Sequence, residues 1–182
     1  MVRIYYGISG TLKLTSIQKQ SGVKVYSLNK TFKELSGKLL GEEPKDTELA
    51  LVRLLQLKNL DISPSYDYHI ERGITDYLEF WTSRPENRDK RRDGNFISPW
   101  VCEESLILSG AKKILLVMKD EDFIKTKVLS DPHRRAVLPN LRTYLERQEE
   151  YIDFTKTWNK IDQEIIIKDA YDYIKNINKW LI

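Results

Sequence analysis

Residues 5–17 read YYGISGTLKLTSI, and the residue types in that stretch are those that hold phosphate. Gly7 and Gly10 let a backbone bend and come close to an anion. The amides of residues 8–13, with the N-terminus of a helix behind them, would point N–H groups at one place. Lys13 adds a point charge there, and Ser9, Thr11 and Thr15 add hydroxyls. The full phosphate-loop pattern, G-x-x-x-x-G-K-[ST], is met only at Gly7 and Lys13. Leu12 stands where the second glycine belongs, and Leu14 where the metal-binding hydroxyl belongs. Thr15, one residue late, is the candidate metal ligand. The competing reading is a plain strand–turn–helix corner with an exposed lysine. Position favours phosphate, because the stretch follows the first strand and opens the first helix.

Other groups suit the same chemistry. Glu71 and Arg72 follow a strand-like run. An arginine gives a planar fork to a phosphate, and a carboxylate can orient a hydroxyl. Asp76 lies just beyond, as a further acceptor contact or as a helix-start charge. Arg134 and Arg135 sit in DPHRRAVLP, between Pro132 and Pro139. Paired arginines neutralise the charge on a transferring phosphoryl group, and a closing lid excludes water. The segment 130–140 is therefore expected to be such a lid, hinged rather than helical throughout. The stretch 84–95 is rich in basic residues and could track a nucleic-acid backbone, or be plain solvated surface. Trp81 and Trp100 flank it and could stack on a base or anchor a core. Neither a Ser/His/Asp nor a Cys/His set is visible. His69 and His133 stand far apart, and Cys102 is the single cysteine, so neither a structural zinc nor an internal disulfide is expected.

The elements that would position these groups alternate along the chain. Strand-like runs fall at 2–8, 23–28, 66–71, 112–119 and 163–169. Helical patterns fall at 12–20, 46–60, 75–81, 98–110, 141–159 and 170–182. The run at 112–119, KKILLVMK, is continuously apolar after its lysines, as a strand buried on both faces should be. Alternation with crossover-length links predicts an α/β domain with about five parallel strands and helices on both faces. Ligands in such sheets bind at the carboxyl ends of the strands, which is where Lys13 and Arg72 would fall.

The chain has 182 residues, 41% hydrophobic and 31% charged, with a net charge of +3. That is enough for one domain with a real core. The charge is too small to argue nucleic-acid binding on its own, and it suits an anionic substrate held by local basic groups. No apolar run approaches the ~20 residues needed to cross a bilayer, and no secretory leader is evident. With one cysteine, these features lead to the expectation of a cytoplasmic protein with no membrane partner.

Taken in order, the motifs resemble those of P-loop nucleoside and nucleotide kinases. GISGTLKLT is similar to their phosphate loop, and IERGITDYLEFW to the segment after their third strand. KKILLVMK resembles the strand before their mobile lid, and DPHRRAVLPNLRTYLERQEEYIDF that lid and its following helix. EIIIKDAYDYIKNINKWLI resembles their terminal strand and helix. The likeness spans nearly all of 1–182 and points to the thymidylate-kinase and deoxynucleoside-kinase branch. The two loop leucines, and the lack of an acidic residue directly after the second strand, depart from it. The resemblance implies a single three-layer P-loop domain that uses ATP and Mg²⁺ to phosphorylate a (deoxy)nucleoside monophosphate. On it, Gly7, Ser9, Gly10, Thr11, Lys13 and Thr15 would bind ATP, with Thr15 or water on the metal. Glu71, Arg72, Asp76, Trp81 and Trp100 would meet the acceptor, and Arg134 and Arg135 the transferring group. It also implies a homodimer. Two alternatives remain open: a nucleoside or a hydroxymethylated base in DNA as acceptor, and a degenerate loop that binds nucleotide without turnover.

Overall fold

The computed structural model describes residues 1–8, 10–18, 20, 22–27, 67–72, 110–159 and 165–176. Five of the strand-like runs pair into one sheet: β1 (Val2–Tyr6), β2 (Val23–Ser27), β3 (Asp67–Glu71), β4 (Lys112–Val117) and β5 (Ile165–Asp169). All the pairings are parallel, in the order β2-β3-β1-β4-β5. The expected α/β class, with a five-stranded parallel sheet flanked by helices, is what the chain forms. Strand β1 lies at the centre and is buried from Arg3 to Tyr6, as is β4 from Lys113 to Val117. These two strands run through the middle of the apolar core, with Ile70 beside them and Tyr144, Tyr151 and Ile152 from a helix.

The helices are α1 (Lys13–Gln18), α2 (Glu121–Phe123), α3 (Pro132–Val137), α4 (Leu141–Asn159) and α5 (Ala170–Lys175). A π-helical segment (Ile124–Val128) continues directly from α2. Three starts have side-chain caps that satisfy orphan N–H groups. Asp120 accepts from Phe123 N, Asn140 from Thr143 N, and Asp169 from Tyr171 N and Asp172 N.

Two features differ from the sequence reading. The 121–128 helix was not anticipated. And 132–137, expected as part of a hinged loop, is helical. The cause is local. Pro132 opens α3, where its missing N–H costs nothing. Asp131 takes the Arg135 N–H on its carbonyl and the Arg134 side chain on its carboxylate, and Leu138 is buried beyond the last turn. The helices expected at 46–60, 75–81 and 98–110 lie outside the described residues, as does the basic 84–95 stretch.

Topology decides where a ligand can sit. From β1 the chain crosses past β3 to β2, yet from β3 it crosses back past β1 to β4, and from β4 onward to β5. Parallel crossovers are right-handed, so a reversal of direction changes the face on which the connection runs. Helices α1 and α5 pack together on the face that carries Tyr5, where Gln20 and Tyr173 both reach the Tyr5 hydroxyl. The β4–β5 crossover, which contains α4, runs the other way and belongs to the opposite face. The chain thus leaves β1 in one direction and its neighbours β3 and β4 in the other. The crevice this opens, at the carboxyl end of β1, is the ligand position of an open α/β sheet.

The Tyr5 face also carries a buried polar chain. Arg3 Nη1 contacts Asp67 at 3.2 Å and His69 Nε2 at 3.1 Å. Arginine has no acceptor, so His69 Nε2 accepts and Nδ1 carries the proton. Nδ1–H then donates to Tyr5 Oη at 2.8 Å, and Tyr5 O–H to Tyr173 Oη at 2.9 Å. Burial, with the Arg3 charge added, lowers the His69 pKa to about 4. The folded protein therefore keeps His69 neutral where the unfolded chain, with an ordinary histidine, binds a proton. Stability from this group is present above pH ~6.5 and is lost as pH falls toward about 4. We expect the wild-type unfolding midpoint to drop across that window by an amount worth roughly 1–3 kcal/mol. His69→Gln should be less stable at neutral pH and should show a shallower slope. Thermal unfolding followed from pH 8 to pH 4 measures both, and equal slopes in the two proteins would remove His69 as the cause.

Candidate functional site

The chain leaves β1 through Gly7, at φ +140. A Cβ there would lie 2.5 Å from Leu116 O and 2.5 Å from Thr11 Oγ1, so only hydrogen fits. Thr11 N–H and Thr11 O–H both donate to Ile8 O, at 3.4 and 3.0 Å, closing a tight turn. Gly10 within that turn has φ +90, and a Cβ on it would meet the two Val128 methyls at 2.7 and 2.8 Å. Leu12 follows at φ +55, the left-handed conformation that glycine would adopt freely. Leu12 thus holds a backbone conformation that residue types other than glycine adopt rarely. Leucine accepts that form at a cost of about 1–2 kcal/mol, offset by its packing against the core.

Lys13 opens α1, but its side chain turns back into the loop and is 4% exposed. Its ammonium donates to Gly7 O, to Ile8 O at 2.9 Å and to Thr11 Oγ1 at 3.3 Å. The loop is therefore a ring of oxygens around its own cation. Such a buried charge is tolerated because its donors meet acceptors. Ser16, one turn along the buried side of α1, donates its hydroxyl to Leu12 O at 2.9 Å. Thr15 is on the exposed side of the same helix.

On the neighbouring strand, Glu71 ends β3 and is buried. Arg72 comes next, also buried, with φ +70. Its N–H donates to Tyr5 O at 2.8 Å, which ties the residue to the last turn of strand before the loop. A non-glycine residue held in this conformation stores strain, and such residues gather at functional sites.

On the other neighbour, Met118 follows β4 and is gripped by Gln148 of α4 through both its N–H, at 2.7 Å, and its C=O, at 3.1 Å. Beyond it, Leu129 N–H reaches Ile124 O at 2.9 Å, the five-residue span of the π-helical segment. That segment carries Val128 onto Gly10. Helix α3 then brings Arg134, half-exposed and 3.5 Å from Asp131, and Arg135, which is exposed. Burial pushes the Tyr144 phenol up, and the Arg134 charge opposes that shift, so Arg134 lies within electrostatic reach of α4.

Of the sequence candidates, the structure brings together Gly7, Gly10, Thr11, Lys13, Glu71 and Arg72 at the carboxyl ends of β1 and β3. It does not bring Thr15 to them. Arg134 and Arg135 share α3, further along. Ser9, Asp76, Trp81 and Trp100 lie outside the described residues. Among the described residues no group of three or more His, Cys, Asp or Glu could hold a metal ion, and none of their helices is long and apolar enough to cross a membrane. Gln148, Tyr151 and Val128 had gone unnoticed in the sequence. Gln148 and Tyr151 left one usable signal there: polar side chains at helical spacing on the inward side of a long amphipathic helix. Val128 left none. No family model matches the chain, and no curated protein matches it.

The Gly10–Val128 contact is directly testable. Gly10→Ala should destabilise the protein by about 1–3 kcal/mol, through the clash and the positive φ together. Adding Val128→Ala should recover part of that loss, although alone it costs stability by opening a cavity. A double-mutant cycle by denaturant unfolding measures the coupling, and strictly additive effects would show that the two residues do not touch.

Proposed function

We propose that this protein is a phosphotransferase of the three-layer P-loop type, moving the terminal phosphoryl group of ATP to a (deoxy)nucleoside monophosphate. The observation that carries the reading is the convergence of two cations on one edge of the sheet. The loop cradling Lys13 and the left-handed Arg72 leave adjacent strands, at the point where the crossovers reverse. Anions bind there in open parallel sheets because amides and helix N-termini aim at the same crevice.

On this reading the amides of residues 8–13 and the Lys13 ammonium receive the ATP phosphates. Lys13 exchanges some of its loop oxygens for phosphate oxygens. Arg72 holds the phosphate of the acceptor, and Glu71 orients it. Arg134 and Arg135 come toward the transferring group as a lid. The bond from the γ-phosphorus to the bridging oxygen breaks, a new bond forms from a phosphate oxygen of the acceptor, and ADP leaves with the negative charge. Positioning and charge neutralisation supply the catalysis, so an activated side-chain nucleophile is not needed. The loop does not fit a protein-held magnesium: Leu14 has no hydroxyl and Thr15 faces solvent. Mg²⁺ on this reading is carried by the nucleotide and water.

That same misfit favours a second reading, a nucleotide-binding protein whose loop has lost turnover. A phosphotransfer panel with ATP and free monophosphates, free nucleosides or hydroxymethylated DNA separates the cases. Product from monophosphates supports the main reading, and product from another acceptor reassigns the substrate. ATP binding without product supports the second. In the active case Lys13→Ala should lower turnover by ~10²–10³-fold with the fold retained by circular dichroism. Arg134→Ala and Arg135→Ala should lower turnover more than ATP affinity, since their contact strengthens as charge develops. Wild-type turnover in Lys13→Ala would remove the loop from the mechanism.

A further inference from the structure

Helix α4 turns one buried stripe inward, and that stripe is polar where a core helix is ordinarily apolar. Tyr144, Gln148, Tyr151 and Thr155 all lie on it and are all buried. Their spacing of four, three and four residues is that of a single helix face. A leucine or phenylalanine would fill the same space without the cost of burying polar atoms. The polar choice therefore asks for a geometric reason, and two of the four side chains supply one.

Gln148 accepts the Met118 N–H at 2.7 Å and returns a hydrogen bond to the Met118 carbonyl at 3.1 Å. Its amide does for Met118 what a further strand would do, at the point where β4 ends. Tyr151 accepts the Gly7 N–H at 3.4 Å, at the point where β1 ends. Strands β1 and β4 are neighbours, and Gly7 sits against the Leu116 carbonyl with no room for a side chain. One helix thus grips both strand ends beside the loop. The two peptides that flank the Gly7 Cα are each held, the first through the Gly7 N–H by Tyr151 and the second through the Gly7 C=O by the Lys13 ammonium.

We propose that Gln148 and Tyr151 are positioning residues for the loop at 7–13. Helix α4 sets where the Gly7 and Met118 backbones stand, and through Gly7 it sets where the Lys13 ammonium is held. Gln148 makes the shorter contacts and carries most of the hold. The ligand arm of this proposal rests on reading the loop as a phosphate site, whereas the positional arm stands on the hydrogen bonds alone.

The test uses the full chain with Tyr151→Phe, Gln148→Leu and Gln148→Glu. Amide-exchange protection factors by NMR report the loop, and calorimetry with tripolyphosphate reports the site. Protection at Gly7 and across the loop should fall about tenfold in Tyr151→Phe and more in Gln148→Leu, as expected for one or two lost hydrogen bonds. Protection at Ile4 and Ile70 should hold. Tripolyphosphate affinity should fall about tenfold. Gln148→Glu gives a signature that loss of packing cannot give. As pH is lowered from 8 to 5 its carboxyl gains a proton, and the neutral acid can again both accept from Met118 N–H and donate to Met118 O. Loop protection and affinity should recover relative to wild type at the same pH, while Gln148→Leu should show no recovery. Unchanged loop protection in both Tyr151→Phe and Gln148→Leu, or losses that track those of Ile4 and Ile70, would overturn the proposal. Should Gln148→Leu not fold, Tyr151→Phe decides, since it removes one oxygen only. If the wild type binds no tripolyphosphate, the phosphate reading fails and the exchange arm still decides the positioning role.

Discussion

The carboxyl edge of this sheet is organised by the absence of one side chain. Where the chain leaves β1, the Leu116 carbonyl and the Thr11 hydroxyl occupy the space a Cβ at residue 7 would take. Only glycine can make that exit. Once it is made, the Gly7 and Ile8 carbonyls point inward, and the Lys13 ammonium closes on them. The turn over 8–11, the left-handed Leu12 and the start of α1 follow from that exit. A bulkier residue would force β1 away from β4, and β1 is the central strand on which both halves of the sheet pair.

Two opposite kinds of burial meet on this scaffold. Across the middle of the sheet, Arg3, His69, Tyr5 and Tyr173 form a chain of hydrogen bonds whose direction is set by the one group that cannot accept, the arginine. The effect of this network is to tie β1 and β3 to α5, with Gln20, just beyond α1, joining at the Tyr5 hydroxyl. At the carboxyl edge, Gln148 and Tyr151 of α4 are buried polar groups that grip backbone rather than side chains. The first network specifies the packing of the layers. The second specifies where the strand ends stand, to a tolerance that apolar packing alone does not impose.

The segment from Asp120 to Leu138 links these parts. It caps α2, passes through a π-helical turn, lays Val128 on Gly10 and then carries the arginine pair on α3. Each of its contacts is small. The loop at 7–13 is therefore touched from the sheet by Leu116, from α4 by Tyr151 and from this segment by Val128. An anion entering the loop would act on all three.

The strands were legible in the sequence because their signals are local. VRIYY, VKVYS and KKILLV carry β-branched, aromatic and apolar residues between turn residues, and their observed limits fall within two residues of those expected. The parallel α/β class was legible too, since alternation with long links leaves few other solutions. Within 130–140 the short helix over 132–137 was not legible because two prolines read as breaks at both ends, whereas Pro132 starts a helix that Asp131 and Leu138 hold. Gly7, Lys13 and Arg72 could be singled out as candidates from residue type and position. Their arrangement could not. That Lys13 lies on its own loop, that Leu12 adopts a left-handed conformation, and that Thr15 is exposed depend on backbone dihedrals and helical phase, which residue types only bias. Gln148 and Tyr151 are separated from Met118 and Gly7 by 30 and 144 residues. Contacts over such distances exist only once the crossovers have folded back, and so the tertiary structure alone decided them.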